Sequence, residues 1–319
     1  MRIDPAIAAM RRDPALQRRA QAAMIAAGDA WRREPPVADA LAELARFGAG
    51  EPLEACPALD AVFTLGAAPY ALTGSLCRRL AEVLAREPFG HPPFRHGFDG
   101  QVATLLLARA GRAQLILHAR EPGCWEHAAA GFSDALRYEA VLAGAGHARV
   151  VRFGDAANTF TTEGVKLSEG TRLAFDLPRE ALQVLRVERR LVSLRLHRFD
   201  AAPGPSRDFR LADGALLHQS AGDIRASRQE MMLALLGRME RREAAPEIAA
   251  LARESGDTSL RWQALRECLA LDTAEGFRAL SGVARASGDP LAVPAGALRA
   301  QLLESHPELL ALEDGRCPA

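Results

Sequence analysis

The sequence predicts an α+β protein, with an antiparallel β-sandwich or small barrel in mid-chain and helical segments on either side. Three observations carry this. From Gln101 to Arg198, short apolar runs (QVATLLLAR, AQLILHA, LRYEAVLA, HARVVRF, TRLAFD, ALQVLRV and RLVSLRLH) alternate with turn residues at Gly111, Pro122-Gly123, Gly144-Ala145-Gly146, Gly154-Asp155, Gly170 and Pro178. Short strands at near-regular spacing, bounded by such residues, are the signature of a sandwich or barrel. Before this block, apolar residues recur at helical spacing. After it, a short phrase repeats: Ala252-Arg-Glu-Ser-Gly-Asp257 returns as Ala284-Arg-Ala-Ser-Gly-Asp289.

The chain has 319 residues, 49% of them hydrophobic, enough for more than one core. The expected division is a helical segment over 1–90, a β domain over 91–220 and a helical-repeat segment over 221–319. Lys+Arg and Asp+Glu are both 40, so no net field favours nucleic acid or acidic lipid. Lys166 is the sole lysine, which makes arginine the background base of the whole chain. Five scattered cysteines without a C-x-x-C pair fit reduced thiols better than a zinc ribbon or a disulfide framework. The start lacks the apolar stretch of a signal peptide, and no run suits a membrane helix. A soluble, cytoplasmic protein is expected.

In the front segment, Asp13-Pro14 supplies an N-cap acceptor and a proline at the first helical position. Leu16, Ala20, Ala23, Met24, Ala27 and Trp31 then form one helical stripe. Pro35-Pro36 ends that helix. A second carries Val37, Leu41 and Leu44 to Gly48, and a third runs from about Leu76 to Arg86. The arginine clusters lack interleaved aromatics, so they read as solvated faces, not an RNA surface. The loop Phe89 to His96 offers His91 and His96 around two prolines. A metal could use them, although loop histidines more often bind nothing.

In the β block, the parity of Ile116, His118, Arg120 and of Ser193, Arg195, His197 opposes that of the leucines and valines. The leucines are expected to face the core and the two histidines the wetter side. Leu136 to Phe153, LRYEAVLAGAGHARVVRF, reads as a strand, a glycine turn and a returning strand. It resembles the strand–glycine turn–strand of the cupins, small jelly-roll barrels with V-L-x-G-x-G at this point. The segment EGTRLAFDLPREALQVLRVERRLVSLRLHR resembles the later cupin strands. The likeness covers about Phe94 to Leu217.

That resemblance implies a jelly-roll barrel. In cupin enzymes it also implies iron, manganese or another divalent ion held by H-x-H, a glutamate and a later histidine. Here the first motif falls on Trp125-Glu126-His127, the glutamate's place on Gly131 and Phe132 or, allowing an insertion, near Arg137 with Glu139 two residues on. The later histidine is Gln183, in Pro178-Arg-Glu-Ala-Leu-Gln183. One ligand of four survives, so the expectation is no cofactor and no metal. The alternative is an iron- or manganese-dependent oxygenase or isomerase that uses His127.

The favoured reading is a cupin-like protein that binds a small molecule or peptide in the barrel mouth. Trp125, His127, Arg137, Glu139 and Gln183 are its candidate ligand-binding residues, and a ligand carboxylate would favour Arg137. The bland account is that Trp125 and Tyr138 fill the barrel while Arg137 pairs with Glu139 at the surface. No catalytic residue is assigned, since G-x-S-x-G, P-loop, dinucleotide and H-E-x-x-H signatures are all missing.

In the back segment, Ser227-Arg-Gln-Glu230 reads as a capping box opening a helix that buries Met231, Leu235, Leu236 and Met239. The repeated phrase separates helices at about Leu260–Leu271 and Ala274–Ala286. This resembles a short HEAT-type α-solenoid, which implies a surface for a protein partner. Arg261, Trp262, Arg266 and Glu267 are candidates for an exposed ridge, with Trp262 equally a core residue. A plain helical bundle is the competing account, and a homodimer stays open.

Overall fold

The computed structural model describes residues 13–64, 66–154 and 159–312. The chain divides into two compact units, Met1–Ala202 with Phe209–Ala215, and Pro203–Asp208 with Leu216–Ala319. Among the described residues no helix is long and apolar enough to cross a membrane.

Among the described residues, the helices that precede the sheet are α1 (Pro14–Arg32), α2 (Pro35–Ala49), α3 (Pro57–Phe63) and α4 (Ala68–Leu84). The cap expected at Asp13 forms: its carboxylate accepts from Ala15 N at 2.8 Å. Ala20, Met24, Gly28 and Trp31 are the buried face of α1. Trp31 is fully buried, and its indole N–H donates to Leu72 O at 3.0 Å, so its one polar atom is satisfied.

Strands β1 (Arg95–Phe98), β2 (Val102–Ala110), β3 (Ala113–Arg120), β4 (Gly123–Cys124), β5 (Ala129–Phe132), β6 (Ala135–Phe153), β7 (Phe160–Ser168), β8 (Arg172–Asp176) and β9 (Glu180–Phe199) follow, and then β10 (Ser206–Arg210) and β11 (Leu216–Ser220). The hydrogen-bonded path is β1-β2-β3-β9-β6-β7, with β4 added to β9 and β8 to β6. Every pairing in it is antiparallel. Among the described residues this path is open at β1 and β7, so the sheet does not close into the expected barrel.

The glycine turn also differs from expectation. Gly144-Ala145-Gly146 lies inside one continuous strand of 19 residues. Its partner β9 likewise joins the two runs ALQVLRV and RLVSLRLH into one strand of 20 residues. The β6–β9 register shifts repeatedly between Val141 and Ala148. Gly144 has φ +95°, and a Cβ there would stand 2.2 Å from Arg190 O; one on Gly146 would stand 2.5 Å from Arg186 O. The glycines therefore let two long strands bulge and bend together where a reverse turn was expected. Before the bend β6 pairs with β8 and β9, and after it with β7 and β9. β7 was missed because its residues are mostly polar and exposed, as an edge strand's are.

One face of the sheet before the bend packs on the helices. Leu107, Leu115, Ala140, Leu142, Leu194 and Leu196 share a core with Met24, Trp31, Leu44, Phe47 and Leu76. The helical stretch thus has no core separate from the sheet. The opposite face meets a second cluster, Val141, Ala148, Leu167, Val184, Val187 and Leu191. Both sides of β3, β6 and β9 are consequently covered, and the wetter side expected for His118 and His197 does not exist: His118 is 5% exposed.

The second unit holds α5 (Ile224–Arg238), α6 (Ala245–Arg253), α7 (Thr258–Leu271), α8 (Thr273–Arg285) and α9 (Ala292–Ser305). The cap of α5 is Asp223, which accepts from Ala226 N at 2.8 Å, so Ser227 sits inside the helix and not at its cap. The helix packs through Ala226, Leu233 and Leu236, leaving Met231, Leu235 and Met239 at least half exposed. Of the four residues expected to be buried, Leu236 packs on the core, whereas Met231, Leu235 and Met239 face outward. The repeated phrase has the same local job twice. Gly256 and Gly288 take positive φ at helix ends, and Asp257 and Asp289 accept from Leu260 N and Leu291 N. Arg261 is not on a ridge: it is 4% exposed and paired with Asp289, while Trp262 packs partly buried on the helical core.

Two outcomes are expected. Gly144→Ala should lower stability by about 2–3 kcal/mol in urea unfolding, since its φ and the Arg190 carbonyl both oppose a side chain. Gly164→Ala in β7, with nothing within 4 Å of the added Cβ, should change little. Asp289→Ala should cost about 3–5 kcal/mol by leaving the Arg261 guanidinium buried without its carboxylate.

Candidate functional site

The second face of the sheet carries charge where strand faces are usually apolar. Strand register sets Arg195 opposite Glu139, His197 opposite Arg137 and His118 opposite Ser193. Alternation points all six to the same side, away from the helices. Glu139 is 2% exposed. Its Oε1 accepts from Ser193 Oγ at 2.7 Å and lies 3.0 Å from Arg195 Nη2, and its Oε2 is 3.5 Å from Arg137 Nη2. Burial pushes the Glu139 carboxyl up, but Arg195, Arg137 and the Ser193 hydroxyl outweigh it and hold the group well below the ordinary carboxylate range.

One carboxylate does not neutralise this cluster. Arg120, Arg137 and Arg195 face a single buried acid, Glu139. Arg120 also feels the exposed carboxylate of Asp99, which accepts from the main-chain N–H groups of Gln101 and Val102 and lies outside the buried cluster. Burial lowers Arg137, with Glu139 opposing and Arg195 assisting, to about 10, so it stays a cation at neutral pH. Burial, helped by the arginines and opposed by Glu139, pushes His118 and His197 down to about 3, so both are neutral. Arg120 Nε, Arg137 Nε and Nη2, Arg195 Nε, His118 Nδ1, His197 Nε2 and Glu139 Oε2 are buried without a hydrogen-bond partner among the described residues. Buried polar groups are normally satisfied, so this concentration is what marks the site.

The unsatisfied arginines border a pocket of about 410 Å³, lined by Arg120, Arg137 and Arg195 on one side and by His127, Gln183 and Val184 on the other. Arg137, Arg195, Gln183 and Val184 come from the β6–β9 ribbon, Arg120 from the end of β3 and His127 from the segment between β4 and β5. A larger cavity of about 540 Å³ lies by Arg112 and Arg198. Its arginines are committed to main-chain carbonyls, Arg112 to Phe199 O at 3.1 Å and Arg198 to Glu51 O at 2.6 Å.

The sequence candidates divide into two groups. His127, Arg137 and Gln183 share the pocket wall. His127 Nε2 donates to Val184 O at 2.8 Å, so that nitrogen carries the proton. Gln183 donates to Ala129 O at 2.6 Å and accepts from Arg149 Nε at 2.8 Å. Both hold the wall together. Glu139 lies behind Arg137 and is buried, not at the surface, and Trp125 stacks on Arg120, whose guanidinium carbon is 4.8 Å from the ring centre. Tyr138 points the other way, against Phe47 and Phe63. Arg120, Arg195, Ser193 and the two strand histidines went unrecognised as site residues. Their shared parity was visible, but which face would be enclosed was not.

These residues do not fit the divalent metal that the cupin resemblance implies for enzymes. The pocket is bordered by cations, Glu139 behind them is engaged by arginines, and His127 is tied to the main chain. No group of three or more His, Cys, Asp or Glu placed to hold a metal occurs among the described residues. His91 and His96 form no such group either; His96 Nδ1 contacts Phe94 O at 2.9 Å.

No family model matches the sequence, and no curated protein does. Solved structures with local similarity include the 7S globulin of Momordica charantia, at 12% identity and TM-score 0.28, covering 37% of this chain and 35% of that one. The capsular polysaccharide assembling protein CapF of Staphylococcus aureus is similar at 11% identity and TM-score 0.29, over 43% of this chain and 36% of its own. A cupin superfamily protein of Desulfitobacterium hafniense is similar at 15% identity and TM-score 0.24, over 33% of this chain and 83% of its own. The chain thus spans little more than a third of the globulin and of CapF.

The neutral histidines make stability depend on pH. Their folded pKa lies below the unfolded value, near 6.5, so the unfolded chain takes up protons that the folded chain refuses. Stability should therefore fall as pH drops from about 6.5, by at most about 1.4 kcal/mol per pH unit per histidine. Between pH 5.5 and 6.5, above the ordinary carboxylate values, His118→Gln/His197→Gln should flatten this slope in urea titrations. An unchanged slope would place the histidines in water.

Proposed function

We propose that this is a cupin-like binding protein whose bent sheet takes a small organic anion, without a metal, in the pocket beside Arg120, Arg137 and Arg195. The observation that supports it is the group of buried arginine N–H donors without partners at the wall of a 410 Å³ pocket. A carboxylate offers paired acceptor oxygens for such donors, and charge-assisted pairs of this kind are the strong ones. Ligand pockets of a few hundred Å³ with a few convergent polar groups are of the usual size and make-up. The second unit is read as a HEAT-type helical repeat that meets a protein partner, on the strength of the repeated phrase with matching caps.

Calorimetric titration with small carboxylates and with neutral isosteres tests the pocket. A carboxylate should bind and its neutral amide should not. Arg137→Ala should weaken binding by about 1.5–3 kcal/mol while the protein stays folded. If Arg137→Ala instead lowers the melting temperature sharply and leaves binding intact, the arginine is structural and the site lies elsewhere.

A further inference from the structure

The placement of the pocket's cations narrows the kind of anion it can take. Arg195 is the cation most fully engaged, since it faces Glu139 directly across the β6–β9 pair with Nη2 at 3.0 Å. Arg120 has no buried acid in contact, and Arg137 reaches Glu139 only through Nη2 at 3.5 Å, with no hydrogen bond at Nη2 or Nε. The charge in excess therefore sits on Arg120 and Arg137.

These two arginines are far apart along the sheet. Arg137 pairs with His197, and His197 with Gln114 at one end of β3, whereas Arg120 is at the other end. Strand rise sets their rows about 20 Å apart along the strands, and both side chains reach the same pocket. Each guanidinium is also held against its own ring. Arg120 lies over Trp125 and Arg137 over Phe175, both at 4.8 Å to the ring centre. Stacking of this kind fixes the plane and leaves the N–H edge to a ligand. A single compact anion such as phosphate would meet one of these arginines and leave the other uncompensated.

We propose that the ligand is an elongated dianion, a short-chain dicarboxylate, held at one end by Arg120 and at the other by Arg137, with Arg195 at the pocket wall between them. This rests on the reading that the pocket binds an organic anion.

Calorimetry on the full chain with succinate, glutarate, adipate, butyrate and inorganic phosphate tests the proposal. At least one dicarboxylate should bind tenfold or more tightly than butyrate and phosphate. Arg120→Gln and Arg137→Gln should each reduce that dicarboxylate to the affinity of butyrate, with circular dichroism confirming the fold. Should Arg137→Gln not fold, Arg120→Gln, at a half-buried position, decides by itself. If butyrate or phosphate binds as tightly as every dicarboxylate, the two-ended ligand is wrong while the anion pocket stands. If none of the five binds to folded protein, the anion pocket fails and the dicarboxylate with it.

Discussion

The pairing of β6 with β9 is the constraint on which the rest of the first unit depends. Two strands of about twenty residues run antiparallel through their whole length and bend together at Gly144–Gly146. The ribbon contributes to both halves of the sheet, and every other strand of the path joins it directly or through a neighbour. A side chain at Gly144 would meet the Arg190 carbonyl, so backbone proximity and left-handed φ select glycine there for two reasons at once.

The bend also explains the charge. A strand with one covered face can send its polar residues to water, but helices cover one side of β3, β6 and β9, and the ribbon's other half covers the second. Polar residues of the right parity are then enclosed together. Their solvation must come from one another, and they manage it only in part. Glu139 gains Ser193, Arg195 and Arg137, while several guanidinium nitrogens gain nothing from the described residues. Burying cations with too few acids is costly, and a fold devoted only to stability would place apolar side chains there. The strand histidines follow the same logic: they avoid adding charge by remaining neutral.

The wall facing the arginines is built differently. His127 and Gln183 spend their polar atoms on Val184 O, Ala129 O and Arg149. They fix the geometry of one side of the pocket while the arginines keep hydrogen-bonding capacity on the other. Rigid support opposite unsatisfied donors is the arrangement expected of a preorganised binding site.

Residue pattern alone determined the α+β class, most strands of the central block, the helix cap at Asp13 and the helical tail with its repeated phrase. These are local properties: alternation, cap chemistry and periodicity act over a few residues. It also placed His127, Arg137 and Gln183 together, because the resemblance that ordered them follows strand succession. Tertiary structure alone decided the rest. Alternation says which residues share a face but not which face is covered, so Arg120, His118, Ser193 and Arg195 looked like rim residues until both sides proved enclosed. A glycine pair reads the same whether it reverses a chain or bends it, and only the partner strand β9, with its Arg186 and Arg190 carbonyls close by, settled that Gly144 and Gly146 bend. On α5 apolar residues lie on more than one side, and only packing decided that Leu233 and Leu236 face the core while Met231, Leu235 and Met239 do not. Long-range contact made each of these decisions, since the competing local forms satisfy the same sequence equally well.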